Sequence, residues 1–492
     1  VTVAHVEETP TSSSYWLTRV CFQRALGAIY LIAFLIAANQ YIPLVGEHGL
    51  LPVKLFLPRV TFWEAPSIFW INHSDSFITT AIWCGLGLSG LTVAGFSERW
   101  GVWFSVAVWT LLWVIYLSLV NVGQTFYGFG WETILLESGF LAIFLGSSTV
   151  KPPRIVFWLL LWVLFRIMFG AGMIKMRGDP CWRDLTCLYY HYETQPLPNP
   201  LSWYFHHLPP WWHKTCVLFT HFVELIVPWL LFAPWRRIRA IAGLFMIYFQ
   251  VTLIVSGNLS WLNYATIALC IPCFDDAFLS WVFRVRHAEP TYSPSAHRIA
   301  VYALLAVVLL LSIQPAMNLF SREQAMNASF EPLHLVNTYG AFGSITRERY
   351  EIIIEGTDSD TPTDDAPWRE YEFKGKPGNP RRRPCIVSPY HWKLDWQMWF
   401  AAMSDYRYHP WIVNLVAKLL QNDKPVLGLL ANNPFPDKPP KFVRAELYLY
   451  HFTTSRADGA WWKREHVGHY LPPLSMENES FRDALKEQGW ME

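Results

Sequence analysis

Long apolar runs recur through the first two thirds of the chain, each closed off by charged residues or by Gly and Pro. Nine such runs, at 25–42, 77–94, 101–120, 132–147, 155–174, 216–233, 238–256, 259–279 and 299–315, are read as helices. A helix rises about 1.5 Å per residue, so crossing roughly 30 Å of hydrocarbon takes about 20 residues, and most of the runs approach that length. The run at 132–147 is shortest and carries Glu132 and Glu137. The pattern predicts a polytopic α-helical membrane bundle of about nine spans.

The basic residues give this bundle a direction. Arg19 and Arg24, then Arg99, Lys151 and Arg154, Arg236, Arg237 and Arg239, and Arg284, Arg286 and Arg298 all fall on one side, whereas the turns at 121–131 and 257–260 have no Lys or Arg. By the positive-inside rule the first side is cytoplasmic, and an odd number of spans leaves the C-terminus outside. Residues 1–24 are thus a cytoplasmic segment. The first helix is read as a retained span, because no small-residue cleavage signature follows it.

Within the transmembrane domain, 25–315, two longer segments lie on the outer side. Segment 43–76 mixes Pro and Gly with Trp63, Phe69 and Trp70, which suits a re-entrant or surface helix. Segment 175–215 is rich in Trp and His and reads as a folded cap. Beyond 315 the long apolar runs stop. Strands are predicted at 349–355, 368–373 and 442–452, and short helices at 394–403 and 411–420, the latter with Ile412, Leu415, Val416 and Leu419 at helical spacing. Residues 316–492 are therefore expected to form a soluble, strand-rich α+β or β-sandwich-like extracytoplasmic domain.

Composition agrees with the pattern. Of 492 residues 52% are hydrophobic and only 16% charged, which excludes a disordered chain, and 27 Trp with 33 Phe point to membrane-embedded surface. A net charge of +1 gives no global field for nucleic acid. No Gly-rich phosphate loop, His-Glu-x-x-His run or nucleophile elbow is present, so a hydrolase or ATPase built on a common motif is disfavoured. Cys270 and Cys273 lie in an apolar run without accompanying ligands and read as core; no metal site and no cofactor is expected. Cys181 and Cys187, in an oxidising compartment, are either a local disulfide at the start of the cap or two free thiols. The run Arg381–Arg383 is a solvated face or a contact for phosphate, lipid headgroups or an acidic partner. Sequons stand at Asn72, Asn258, Asn327 and Asn478, all on the outer side.

Polar residues inside apolar runs are the candidate chemistry, since burying them unpaired costs several kcal/mol. Arg166 lies deep in the fifth run, with Glu132 and Glu137 as its natural partners. His221 and Glu224 share a helix face at i,i+3. Lys175 ends the run of Arg166, just after Gly170, Ala171 and Gly172, and is either an interfacial cation or a desolvated base. Lys175, Arg166, His221 and Glu224 are the candidate catalytic groups. Trp203, His206, His207, Trp211, Trp396 and Trp399 are the candidate surface for a client or partner.

Several long segments carry a family resemblance. Gly172-Met173-Ile174-Lys175-Met176-Arg177-Gly178-Asp179, then His191-Tyr192-Glu193-Thr194-Gln195-Pro196-Leu197-Pro198-Asn199-Pro200 and Trp203-Tyr204-Phe205-His206-His207, resemble the outer loop of the lipase maturation factor family. Asn337-Thr338-Tyr339-Gly340, 350–356, 371–374 and 394–402 resemble its soluble part. The resemblance covers nearly the whole chain. It implies a polytopic membrane protein with a luminal C-terminal domain, acting on the folding and dimer assembly of secreted lipases. The membrane half more distantly resembles the transmembrane domain of vitamin K-dependent gamma-carboxylase, in which a lysine takes part in the chemistry, and Lys175 falls in a similar run. Cys181 and Cys187 interrupt the outer-loop signature. The expectation is a membrane-bound, chaperone-like maturation factor for secreted or envelope lipases, contacting membrane lipid. The alternatives are an integral-membrane enzyme acting near Lys175 on a lipid, quinone or exported polypeptide, and a scaffold subunit. A bacterial host implies the plasma membrane, a eukaryotic one the endoplasmic reticulum.

Overall fold

The computed structural model describes residues 14–283 and 290–491; Arg284, Arg286 and most of the N-terminal segment lie outside them. All nine apolar runs are helical. Among the described residues seven helices are long and apolar enough to span a bilayer: α1 Trp16–Val45, α2 Asp75–Val93, α3 Val102–Val122, α5 Arg154–Arg177, α6 Pro210–Phe232, α7 Arg236–Ser256 and α9 Ser295–Phe320. The other two, α4 Gly130–Ala142 and α8 Leu262–Cys270, fall short of that length. The chain is a multi-pass membrane protein. The expected nine full-length spans are thus seven long helices and two short ones, because Gly146 turns the chain soon after α4 and Pro272 breaks the run after α8.

The connections gather at two ends of the bundle. At the first end Asp276 accepts hydrogen bonds from the free N–H groups of Trp16 and Leu17, both at 2.8 Å, and of Thr18 at 3.1 Å. A carboxylate there satisfies orphan amides and complements the helix dipole. Arg19 donates to the Val150 carbonyl at 2.8 Å, Ser148 N–H to the Glu98 carbonyl, and Arg236 pairs with Asp275 at 3.3 Å. At the second end Gln124 donates to the Leu51 carbonyl and Asn121 to the carbonyls of Pro66 and Pro332. Short α4 and α8 connect these same two ends.

The C-terminal third covers the second end. Its sheet has four antiparallel strands in the order β2-β1-β3-β4, with β1 Arg349–Thr357, β2 Arg369–Tyr371, β3 Phe442–Phe452 and β4 Trp462–Leu474. The helices Lys393–Ala401 and Trp411–Leu420 pack against β1 and β3. A single helix-backed sheet therefore stands where a sandwich was the alternative expectation. β4 escaped the sequence reading because it is an edge strand, paired with β3 alone, and Lys463, Glu465 and His466 on it face solvent in place of a core.

Segment 43–76 is surface structure of short turns, with Leu50 and Phe69 buried and Trp63 and Ile71 exposed. Asn414 holds it by donating to the Leu50 carbonyl at 2.9 Å. Cys181 and Cys187 are joined, while Cys270 and Cys273 are buried free thiols. Of the four sequons, Asn258 is unavailable: it is buried, donates to the carbonyls of Leu197 and Cys385, and accepts from the amides of Val387 and Ser388.

Candidate functional site

The cap is built from three short helices whose starts are written in the sequence. Asp179 caps 180–183 by accepting from the Cys181 amide, and Asn199 with Ser202 forms a reciprocal capping box on 200–206. Between them 188–194 carries His191 and Glu193. Around the disulfide cluster Trp182, Leu188, Tyr192, Val217 and Ile345.

Lys175 projects from the end of α5 beneath this cap and donates to both carboxylate oxygens of Glu224, at 2.7 and 2.8 Å. Each side chain is 5% exposed. Local backbone explains the meeting. Pro228 offers no N–H to the Glu224 carbonyl one turn earlier, and the preceding turn, Phe222–Ile226, widens into a π-helix that carries Glu224 toward α5. Gly172 leaves room for it: a Cβ there would lie 2.6 Å from Leu225 Cδ2 and 3.1 Å from Glu224 Cβ. The Trp182 ring faces the Lys175 ammonium at 5.3 Å, and the Trp182 carbonyl accepts from His221 Nε2 at 3.0 Å. Of the four candidate catalytic residues, Lys175, Glu224 and His221 therefore converge.

Arg166 belongs to a second cluster. It pairs with Glu137, and the Asn337 carbonyl accepts from it at 2.5 Å. Glu137 also accepts from the Asn337 amide at 3.1 Å and from the Tyr339 hydroxyl at 2.7 Å. The Asn337–Gly340 signature is thus an irregular stretch of linker that enters the bundle and satisfies its buried ions. Glu132, the other expected partner of Arg166, instead meets Lys393 at 2.8 Å and accepts from Tyr116. Lys393 is fully buried, donates also to the Phe126 carbonyl, and lies 3.5 Å from the centre of the Tyr127 ring. Burial pushes its ammonium below the usual lysine range, and Glu132 opposes that shift. Arg349 forms a third tie. Its guanidinium reaches Glu351 at 2.6 Å and the carbonyls of Glu193, Gln195 and Pro196, joining β1 to the cap.

These ties show what the sequence reading missed. Lys393, Arg349, Asn337 and Tyr339 lie in a segment read as soluble, and no periodicity marks a soluble-domain residue as the counter-ion of a membrane helix. The aromatic candidates also divide. Trp203, His206 and His207 group on the cap against Phe452, with the Trp203 and His207 rings 4.1 Å apart. Trp211 is exposed beside Trp212. Trp399 is half-buried, its indole N–H on the Thr194 carbonyl. Trp396 is 4% exposed, wedged against Trp131 and Phe129, and has no free face for a client.

Residues 17–281 match the description "Lipase maturation factor transmembrane domain", and residues 335–472 match "Lipase maturation factor C-terminal domain". The chain belongs to the lipase maturation factor family. It is 44% identical to human "Lipase maturation factor 1" over 97% of this chain and 91% of that protein, and 43% identical to the mouse protein of that name over 97% and 90%. Human "Lipase maturation factor 2" is 29% identical over 97% of this chain and 85% of its own. No solved structure matches. In this lipase maturation factor family member both matched regions meet at the ion-pair seam.

His191, buried on the cap helix 188–194 and near Lys175, gives a pH prediction. Burial first, and then Lys175, pushes its pKa down to about 4 from the usual 6.5. Below pH 6.5 the unfolded chain takes up a proton that the folded chain refuses, so stability falls from pH 6.5 down to about 4 and is flat below. The loss from this residue is about 3 kcal/mol. Unfolding of the wild type and of His191→Gln at pH 7 and pH 4.5 should show the smaller pH dependence in the variant; equal dependence would contradict the assignment.

Proposed function

We propose that this protein is a chaperone-like maturation factor that assists the folding or assembly of exported lipases. The observation that carries the reading is the 44% identity to a protein named Lipase maturation factor 1 across 97% of this chain. In this reading all nine helices cross the bilayer. The first end, with Arg19, Arg24, Arg236 and Arg239, is cytoplasmic, and the cap and residues 316–492 form the extracytoplasmic side of a plasma or endoplasmic reticulum membrane. Lys175–Glu224 serves as a clamp between α5 and α6, since its ammonium is already neutralised and held by two hydrogen bonds.

The client surface in this reading is the exposed aromatic pair Trp211 and Trp212 at the start of α6, together with the exposed Tyr204 and His207 at the end of the last cap helix that precedes it in the chain. Such a surface holds apolar parts of a folding intermediate and needs no cofactor. In cells lacking the protein, the activity of its co-expressed lipase should drop at least tenfold while lipase synthesis is unchanged. Trp211→Ala/Trp212→Ala should fail to restore that activity and lose lipase crosslinking, yet reach the membrane normally. Unchanged lipase activity in the deletion would refute the reading.

A further inference from the structure

A cavity of about 500 Å³ lies where the cap meets the C-terminal sheet, lined by Pro200, Leu201, Tyr204, Arg383, Arg456 and Trp461. Arg456 sits among aromatic faces, with its guanidinium carbon 5.0, 5.1 and 4.3 Å from the ring centres of Trp203, Tyr204 and Trp461. One of its N–H groups donates to the Tyr204 hydroxyl at 2.5 Å. Among the described residues neither Arg456 nor Arg383 has a carboxylate partner. Its neighbour Arg382 shows the contrast: that side chain is occupied by Glu372 at 2.7 Å and by the carbonyls of Phe373 and Lys374. The pocket thus holds two uncompensated forks of N–H donors, a geometry that matches phosphate oxygens two at a time.

Depth distinguishes a lipid from a soluble anion. Asn199, next to Pro200, donates to the Val255 carbonyl at 2.9 Å, and the Ser202 hydroxyl donates to the Ser256 carbonyl at 2.7 Å. The floor of the cavity is therefore tied to the last residues of α7, the end of a helix long and apolar enough to cross a bilayer, which is where the headgroups of a crossed bilayer meet the protein. On the same helix, within the two turns before this end, Tyr248, Val251 and Val255 form an exposed apolar stripe at i, i+3 and i+7 that suits acyl chains. Pro200, Leu201 and Trp461 give the pocket an apolar wall for the glycerol region.

From this geometry we infer a phospholipid-binding site: Arg456 and Arg383 hold the phosphodiester of one anionic lipid of the outward leaflet, and the lipid pins the cap to the C-terminal sheet. This inference uses the pocket and its depth, and stands whether or not the client is a lipase.

The test uses the full chain in detergent, with dihexanoyl phosphatidylglycerol as probe and inorganic phosphate as the second arm. The lipid should saturate one site, and Arg383→Gln/Arg456→Gln should weaken it at least tenfold, with Arg456→Lys between the two. Inorganic phosphate should compete only at concentrations a hundredfold higher. Leu201→Glu, at an exposed rim position, gives a second disruption if the arginine variant folds poorly, and should weaken the lipid equally. Unchanged lipid affinity in a folded variant overturns the site. Displacement by phosphate at the same concentration as the lipid overturns the lipid assignment.

Discussion

Replacing Lys393 with methionine should destabilise the protein by about 3–5 kcal/mol, the usual cost of removing one member of a buried ion pair. Both Lys393 and Glu132 are fully enclosed, so the remaining carboxylate cannot reach water. Tyr116 still donates to it, but one neutral hydrogen bond does not offset a buried charge. Adding Glu132→Gln should recover most of the loss, because an amide is far less costly to bury, still accepts from Tyr116 and can donate toward the Phe126 carbonyl that Lys393 now uses. Monodisperse yield and thermal unfolding in detergent read both steps. If the double variant is as unstable as Lys393→Met alone, the loss does not come from the orphaned charge.

Arg349→Met should cost about 3 kcal/mol, at the lower end of the same range. Lys376 remains 2.9 Å from Glu351 and keeps that carboxylate neutralised, so the main loss is the donors to three carbonyls of 193–196 and the guanidinium contact with the Trp462 ring. The effect should be local. Hydrogen exchange should rise across 188–207, where the cap loses its tie to β1, while the buried core of α1 keeps its protection. Arg349→Lys should not rescue, since an ammonium cannot reproduce the fork that meets a carboxylate and three carbonyls together. Faster exchange throughout the bundle would instead mean that this tie holds the whole protein.

Lys393 and Arg349 make the cap, the bundle and the sheet one mechanical unit, with Arg166, Glu137, Asn337 and Tyr339 adding a third anchor within the bundle. Each anchor joins a charge on one side to a segment 153 to 261 residues away. The cap edge is thus part of a platform fixed at several points, which suits surface recognition better than large hinge motions.

The helices were legible in the sequence wherever composition alone decides. A run of twenty apolar residues has only one stable way to satisfy its backbone in hydrocarbon, and α3, α5 and α7 follow the predicted runs, whereas α1 begins at Trp16, nine residues before its run and inside the segment read as a cytoplasmic tail, because Asp276 caps its first amides. The strand read at 442–452 is β3 with the same limits: it is central, paired with β1 and β4, rich in aromatic residues that favour strands, and buried without alternation over 443–446. The clamp at Lys175 was half legible: its glycines, His221 and Glu224 were marked, but their helix was read as regular. The π turn depends on Pro228 and on the space at Gly172 acting together.

By itself, then, the sequence determined the membrane-spanning character, the alternation of its basic ends and the family to which the chain belongs. Tertiary structure alone decided which charge meets which: that Glu137 takes Arg166 while Glu132 takes Lys393, that Trp396 is enclosed, and that Arg456 lines an uncompensated pocket. The reason is physical. Hydrophobic transfer is nearly additive along a chain and can be read residue by residue. The partner of a buried ion is set by which groups share a few ångströms of dry interior, and that is a property of the folded chain as a whole.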